Sequence, residues 1–166
     1  MVFETERLII GKITDDDVIN LSTVLSDPEV MKHSTVGVHT EQQVLAYISN
    51  CQQRYSGNEF CHWGIYRKQD NAFVGLCGLN NHQVDSEELI HINYRLASKY
   101  HGNGYAVESV QGLLTFTAQS LCLKTVYALI ESDNVSSVNV VKRTGFEFVK
   151  ATDFIGFKVD VYQNCL

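Results

Sequence analysis

The segment whose residue types best suit chemistry is Tyr100–Ala106, which contains Gly102 and Gly104 just ahead of a predicted helix. Where a strand passes through a short glycine loop into a helix, backbone N–H groups and the helix dipole favour a bound anion. Because glycine has no Cβ, a phosphate can approach the backbone closely. The segment therefore predicts a phosphate-binding loop, although the two glycines can also serve only the geometry of a turn.

Two common nucleotide-binding patterns do not match this loop. The dinucleotide fingerprint GxGxxG belongs to a parallel βαβ unit, whereas this loop follows predicted antiparallel strands and has Val107 at the third glycine position. The pattern GxxxxGK[ST] requires a lysine, and no lysine follows these glycines. A nucleotide-binding protein that uses the same loop stays open as an alternative.

A second segment of interest, Asn134–Ser137, is followed by Lys142–Phe146. Asn134 can cap the helix that begins there, and Gly145 can end it. Each of these roles is ordinary when taken alone. The combination of this segment with the glycine loop is more informative than either one.

Hydrophobic periodicity predicts the elements that must position these segments. Helices are predicted over residues 14–25, 40–55, 104–121 and 134–143. Strands are predicted over residues 7–13, 60–67, 73–80, 89–96, 125–130, 146–150 and 154–162. This order predicts an α+β (mixed α/β) fold with a mostly antiparallel sheet flanked by helices.

The fourth predicted strand, Leu89–Leu96, alternates between apolar and polar residues. Its polar face carries His91, Asn93 and Arg95, because successive side chains of a strand point to opposite faces. The residue His82 falls in the turn before this strand.

The length of 166 residues predicts a single domain over residues 1–166. With 45% hydrophobic and 19% charged residues a disordered chain is excluded, and the net charge is −6. An acidic surface suits a cationic substrate such as an amine. Without clustered Lys or Arg, direct nucleic-acid binding is not expected.

The chain shows no sign of membrane insertion, secretion or metal binding. No apolar run approaches the roughly 18 residues of a membrane-spanning helix. The segment Met1–Ile10 carries Glu4, Glu6 and Arg7, unlike a signal peptide, so a cytoplasmic location is expected. The five cysteines include no CxxC pair, so neither a disulfide framework nor a zinc site is predicted, and no metal is assigned.

Together the two segments resemble the GNAT superfamily of N-acetyltransferases, in particular its RimJ/RimL-like ribosomal-protein branch. The stretch His101–Ala106 resembles the family motif Gln/Arg-x-x-Gly-x-Gly/Ala, and Tyr100–Glu108 resembles the branch pattern Tyr-Trp-Gly-x-Gly-Tyr-Ala-x-Glu. The segments Thr5–Leu8 and Asp27–Met31 are also similar to the branch. The resemblance covers about residues 3–162.

Three positions depart from the family. Gly11 stands where the branch usually has Arg, and His101 replaces the usual first residue of the motif. Val141 occupies the position at which many relatives carry a tyrosine general acid, so a tyrosine acid at that position is excluded.

The resemblance implies a GNAT fold that is splayed between the fourth and fifth strands, with acetyl-CoA bound in the splay. The pantetheine is expected on the backbone of Tyr94, Arg95 and Leu96, and the pyrophosphate on the loop. The remaining residues expected to bind the cofactor are His101, Gly102, Asn103, Gly104, Tyr105, Ala106 and Asn134.

The resemblance further implies direct acetyl transfer to a primary amine. Asn134 is expected near the thioester, Ser137 as a proton donor to the thiolate and His91 as a base, with Glu131 next if His91 faces the covering helices. The acceptor is a protein N-terminus or a small-molecule amine, and a homodimer is possible by analogy with relatives. A non-catalytic acyl-CoA-binding or interaction module is the alternative, which the absent tyrosine acid keeps open.

Overall fold

The computed structural model describes residues 1–57 and 59–166. Its strands are β1 Phe3–Glu4, β2 Leu8–Gly11, β3 His62–Arg67, β4 Phe73–Val84, β5 Glu87–Leu96, β6 Thr125–Ile130, β7 Glu147–Phe154 and β8 Phe157–Cys165. Its helices are α1 Val18–Leu25, α2 Glu41–Ser56, α3 Tyr105–Ser120 and α4 Val135–Arg143. None of the helices in the described residues has the length and hydropathy that crossing a membrane requires.

The strands form one sheet in the order β1-β2-β3-β4-β5-β6-β8-β7. Neighbouring strands are antiparallel except β5 and β6, which are parallel and pair only at His91 and Tyr127. Beyond this pair the two strands separate toward Leu96 and Ile130. The predicted mixed α/β fold with a mostly antiparallel sheet flanked by helices is therefore confirmed, and the parallel pair is consistent with the predicted splay. In this numbering the splay lies between β5 and β6, because the short β1 was not predicted.

Helices cover both faces of the sheet. Tyr47 of α2 stacks on His62, with ring centroids 5.9 Å apart, whereas Phe116 of α3 packs edge-on against Trp63 at 5.7 Å. His62 and Trp63 are adjacent in β3 and point to opposite sides. The sheet face that bears His62 is called the α2 face below, and the face that bears Trp63 is called the α3 face.

The helix that covers the α2 face begins where its sequence provides a capping box. The Thr40 hydroxyl accepts a hydrogen bond from the Gln43 amide at 3.3 Å, and the Gln43 side chain accepts one from the Thr40 amide at 2.8 Å. Val44 and Ile48 of this helix are fully buried in the core. The predicted start of this helix is therefore confirmed.

The β4 strand is longer than predicted, and the difference changes the site. It continues to Val84, so that His82 pairs with Leu89 of β5 instead of lying in a turn. The pairing places His82 on the same face of the sheet as His91. The position of His82 in a turn was therefore predicted wrongly, because the run Asn80–Gln83 is polar and lacks the apolar alternation of a strand.

Candidate active site

The glycine loop adopts a conformation that opens its backbone amides to a ligand. Gly102 and Gly104 have φ angles of 76° and 78°, in the left-handed region that glycine adopts without strain. Gly104 is the N-cap of the 16-residue helix α3. Across the described residues, the amide N–H groups of residues 102–107 donate to no protein acceptor. The loop is therefore a preformed anion site.

Hydrogen bonds from the N-terminal segment, called the Arg7–Glu108 tie below, hold this loop in place. Arg7 donates through Nε to Glu108 at 2.6 Å and through Nη1 to the Asn103 carbonyl at 3.1 Å. Its guanidinium also lies 4.6 Å from the centroid of the Tyr105 ring. Thr5 donates to the second Glu108 oxygen at 2.6 Å. The sequence signal for this tie was present in the branch-like motifs, but no role was predicted for Arg7 or Glu108.

The polar side chains of the loop make hydrogen bonds to nearby backbone carbonyls. The Asn103 amide donates to the carbonyls of Tyr100 and His101, at 3.1 Å and 3.0 Å. His101 Nε2 lies 2.9 Å from the Leu96 carbonyl, at the end of β5. These contacts leave the loop amides as the groups available for a ligand.

The first turn of α4 brings three polar groups together. Asn134 Oδ1 accepts from the Ser137 amide at 3.3 Å and from the Ser136 hydroxyl at 3.1 Å, so Asn134 does cap the helix. Asn134 Nδ2 and Ser137 Oγ have no hydrogen-bond partner among the described residues. The Tyr94 hydroxyl donates to the Ser137 carbonyl at 3.1 Å, and burial raises the pKa of Tyr94 to about 12. These groups are hydrogen-bond donors at neutral pH.

One cavity of about 780 Å³ joins the loop, the α4 turn and the α2 face. Every predicted site residue lines it except Asn103, whose side chain turns back onto the loop. All six histidines of the chain line it as well. The cavity therefore passes through the gap between β5 and β6 and has room on both faces of the sheet.

His91 lies on the α2 face, as the alternation of β5 predicted, and it is buried. Its Nε2 lies 2.8 Å from Nδ1 of His82, which is partly exposed. Burial lowers the pKa of His91 to about 4, with a smaller contribution from His82. The imidazole is therefore neutral at pH 7, and His91 does not ionise near neutrality as an unperturbed histidine would.

A second group of titratable side chains lies at the end of β6. His33 Nδ1 is 3.3 Å from a Glu131 carboxylate oxygen and 3.7 Å from an Asp133 oxygen. The ligand-type atoms of these three residues lie within 4.8 Å of one another. His33 and Glu131 line the cavity, so it contains a carboxylate as well as the histidines of the α2 face.

Comparison with known proteins identifies the family. The model of the acetyltransferase (GNAT) domain matches residues 7–147, which include the loop, the strand gap and α4. An uncharacterized N-acetyltransferase p20 from Bacillus licheniformis is 29% identical over 86% of this chain and 80% of its own length. A crystal structure of a GNAT-family acetyltransferase from Bacillus anthracis has a TM-score of 0.81 and 22% identity, covering 97% of this chain and 95% of the other.

Similar proteins with a named acceptor differ in what they acetylate. The spermine/spermidine N(1)-acetyltransferase of Bacillus subtilis is 23% identical over 87% of this chain and 98% of its own length. A Salmonella typhimurium acetyltransferase described as modifying the N-terminal serine of ribosomal protein L7/L12 has a TM-score of 0.82 and 16% identity, covering 98% of this chain and 96% of the other. Identity at that level shows a shared fold.

The fold, the loop and the family match lead to one class of enzyme, the acyltransferases that take their acyl group from a CoA thioester. The chain belongs to the acetyltransferase (GNAT) domain family. It is an N-acetyltransferase with acetyl-CoA as its cosubstrate.

Proposed function

We propose that the protein transfers the acetyl group of acetyl-CoA directly to a primary amine that enters from the α2 face. The observation that carries this proposal is the single cavity that links the anion-binding loop to the α2 face through the gap between β5 and β6. Such a cavity lets the two substrates meet from opposite sides of the sheet. Holding two reactants in position makes the transfer effectively unimolecular.

The cosubstrate would bind along the loop and the open edge of β5. The unpaired amides of residues 102–106 suit the pyrophosphate, with His101 and Asn103 supporting the loop. Beyond His91, β5 no longer pairs with β6, so the backbone of Tyr94–Leu96 has room for the amide groups of pantetheine. This proposal keeps the cofactor residues expected from the sequence.

The α4 turn would act on the thioester. The Asn134 side-chain N–H can donate to a carbonyl oxygen, because its Oδ1 is already occupied by the helix cap. Stabilising the oxyanion that develops on that oxygen lowers the barrier. As the N–C bond forms and the C–S bond breaks, Ser137 Oγ donates a hydrogen bond to the departing thiolate and passes it a proton while taking one from water, so the serine stays neutral. The Tyr94 hydroxyl, which donates to the Ser137 carbonyl, can act as a second donor only by leaving that carbonyl, a role that the sequence did not predict.

The amine must lose a proton during transfer, and His91 is the proposed acceptor. Its contact with the partly exposed His82 provides a route for that proton toward solvent. Its lowered pKa makes it a weaker base than a solvated imidazole. Glu131, beside His33, is the next group for this role.

Turnover separates this function from a non-catalytic acyl-CoA-binding module, which the valine at position 141 leaves open. Free CoA release should be measured with acetyl-CoA and a panel of primary amines, and acetyl-CoA binding by calorimetry. We expect amine-dependent CoA release. Tight binding without release for any amine would favour the non-catalytic module.

The panel of acceptors should include short peptides as well as small amines. Acetylation of peptide N-termini would support the RimJ/RimL-like assignment, for which the similar Salmonella fold is the main support. The homodimer and the cytoplasmic location expected from the sequence stay predictions.

A further inference from the structure

Two arginines that line the cavity, Arg95 and Arg143, have no ion-pair partner among the described residues, and of these Arg143 is exposed. Arg95 lies on β5, is partly buried and lines the cavity. Arg7, Arg54 and Arg67 each form an ion pair with a carboxylate. Arg95 makes neither an ion pair nor a side-chain hydrogen bond within the part of the chain that the structure describes. The family resemblance involves its backbone only, so its side chain has no assigned role.

The position of Arg95 places its side chain on the α2 face. The register of the sheet pairs His62 with Gly78 and Gly78 with Asn93, so Asn93 shares the face of His62. Arg95 is two residues further along β5 and therefore shares that face. The anion-binding loop continues from the end of β5 to the N-terminus of α3, which covers the other face. Arg95 is therefore placed toward the acceptor rather than toward the pyrophosphate.

The neighbours of Arg95 in the cavity supply further nitrogen atoms. His39 Nδ1 and His62 Nε2 are buried and have no hydrogen-bond partner among the described residues. The carboxylates that line the same cavity are Glu29 and Glu131, and Glu131 lies against His33. Burial lowers the pKa of Arg95, although the guanidinium stays charged.

A buried charge without a partner is unfavourable, and the same holds for buried polar atoms without hydrogen bonds. A ligand that carries an anionic group would supply the counter-ion that Arg95 lacks, and the two histidine nitrogens line the same cavity. Arginine binds carboxylates and phosphates through two parallel N–H donors, which also fixes the orientation of the ligand. The unpartnered Arg95 guanidinium on the α2 face thus indicates a ligand with an anionic group.

This inference rests on the proposed function and narrows its acceptor. We propose that the acceptor is an amine that also carries a carboxylate or a phosphate, and that Arg95 binds this anionic group on the α2 face. The net charge of −6 suits cationic amines such as polyamines at the surface, but charge inside the cavity selects the substrate. A polyamine would place further positive charge beside an arginine that has no counter-ion.

Matched amine pairs test this specificity. Phenylalanine with phenethylamine and β-alanine with ethylamine differ by a carboxylate, and phosphoethanolamine with ethanolamine differs by a phosphate. Spermidine represents the polyamines. For each pair, kcat/KM for CoA release should be compared in the wild type, Arg95→Met, Arg95→Lys and Arg54→Met. Arg54→Met is the control, because Arg54 is paired with Glu59.

We expect the wild type to prefer the acidic member of at least one pair by tenfold or more. That ratio should fall to near one in Arg95→Met, recover in part in Arg95→Lys and persist in Arg54→Met. The pair with the largest ratio identifies carboxylate or phosphate as the anion. A higher kcat/KM for spermidine or for the neutral members in the wild type would overturn the inference but leave the proposed function intact.

Two further measurements separate other failures. If no amine supports turnover, the proposed function fails, and thermal shift with the acidic amines in the presence of CoA decides the inference. Saturable stabilisation of the wild type that is lost in Arg95→Met supports an anion site, and its absence rejects one. If Arg95→Met weakens acetyl-CoA binding tenfold while the amine ratio is unchanged, Arg95 serves the cosubstrate and the inference is wrong.

Discussion

The glycine loop and the α2 face form the two ends of the same cavity, and the chain builds them in different ways. The loop presents amides from consecutive residues 102–107, held by the glycine geometry and by the Arg7–Glu108 tie. The α2 face presents side chains from β3, β4 and β5 and from the segment before α2. One end thus depends on backbone conformation, and the other depends on which side chains meet in space.

This difference separates cosubstrate binding, which depends on the backbone, from the choice of acceptor, which depends on side chains. Backbone amides at a helix N-terminus bind phosphate whatever the neighbouring side chains are. The identity of the acceptor depends on side chains such as Arg95 and His62, which can change without disturbing the loop. We therefore expect substitutions at the two ends to affect different kinetic constants.

The largest effect is expected from His91→Ala, at the α2-face end. General-base assistance is worth about 10²–10⁴-fold, and the low pKa of His91 favours the lower figure, so kcat/KM for the amine should fall about 10²-fold. Any ionisation of His91 should lie near pH 4 in the wild-type pH profile, because burial lowers its pKa to about 4. Steady-state kinetics over pH 5–9, with acetyl-CoA affinity measured in parallel, checks the first point, and the absence of a His91-dependent ionisation within that range checks the second.

His82→Ala provides a graded comparison, because the proposed role of His82 acts only through its contact with His91. It should cost less than His91→Ala. Wild-type kcat/KM in His91→Ala would remove this histidine from the mechanism. Glu131→Gln would then be the variant expected to lose activity.

The contrast between the two ends also explains what the sequence could predict. The loop was predictable because its glycines and the helix that follows are contiguous, and the bounds of Thr125–Ile130 agree with β6. The His82–His91 contact was not predictable, because it depends on the polar extension of β4 and on strand register. The Arg7–Glu108 tie joins residues that are 101 positions apart in the chain.

Gly11 shows how a departure from the family acquires a reason only in three dimensions. A Cβ on Gly11 would lie 3.6 Å from the Tyr66 ring, and one on its strand partner Gly64 would lie 2.7 Å from the Tyr66 hydroxyl. The ring therefore covers both glycines, and its hydroxyl donates to Asp17 at 2.9 Å. A side chain the size of arginine at position 11 would have to compete for this space.

A smaller effect is expected from Gly104→Val, at the loop end. Valine is strained at a φ of 78°, and its branched side chain would crowd the loop amides. Acetyl-CoA affinity should fall at least tenfold, which is about 1.4 kcal/mol. Calorimetry measures this loss directly, and the KM for the amine should change little if the two ends are separable.

Gly156→Val is the matched control for backbone strain. Gly156 has a φ of 81° and open space around its Cβ position, but it lies in the turn between β7 and β8. It should lose stability without a specific loss of acetyl-CoA affinity. Unchanged affinity in a folded Gly104→Val protein would reject the placement of the pyrophosphate.

Between the two ends lies the α4 turn, where Ser137→Ala should lower kcat by about 3–10-fold with little change in acetyl-CoA affinity. An interaction made mainly in the transition state lowers kcat rather than binding. The Tyr94 hydroxyl limits the loss, because it can turn from the Ser137 carbonyl, to which it donates, toward the thiolate. Combining Ser137→Ala with Tyr94→Phe should therefore cost more than the two single losses multiplied together. Wild-type kcat in both single variants and in the double variant would show that solvent protonates the thiolate.

The smallest effect concerns stability, and it again belongs to the α2 face. Burial lowers the pKa of His62 to about 3 and that of His91 to about 4, below the value of about 6.5 in an unfolded chain. Between these values the unfolded state binds more protons, so stability is complete above about pH 7 and falls as the pH decreases toward 3. From pH 7 to pH 6 each of the two histidines should lower the free energy of unfolding by about 0.7 kcal/mol.

Urea unfolding at these two pH values measures the combined loss, and His62→Gln should remove the part of about 0.7 kcal/mol that belongs to His62. Gly104→Val, at the loop end, leaves both histidines in place, so its free energy of unfolding should change with pH as in the wild type. If the free energy of unfolding of His62→Gln falls by as much as that of the wild type between pH 7 and pH 6, the assignment to His62 is wrong.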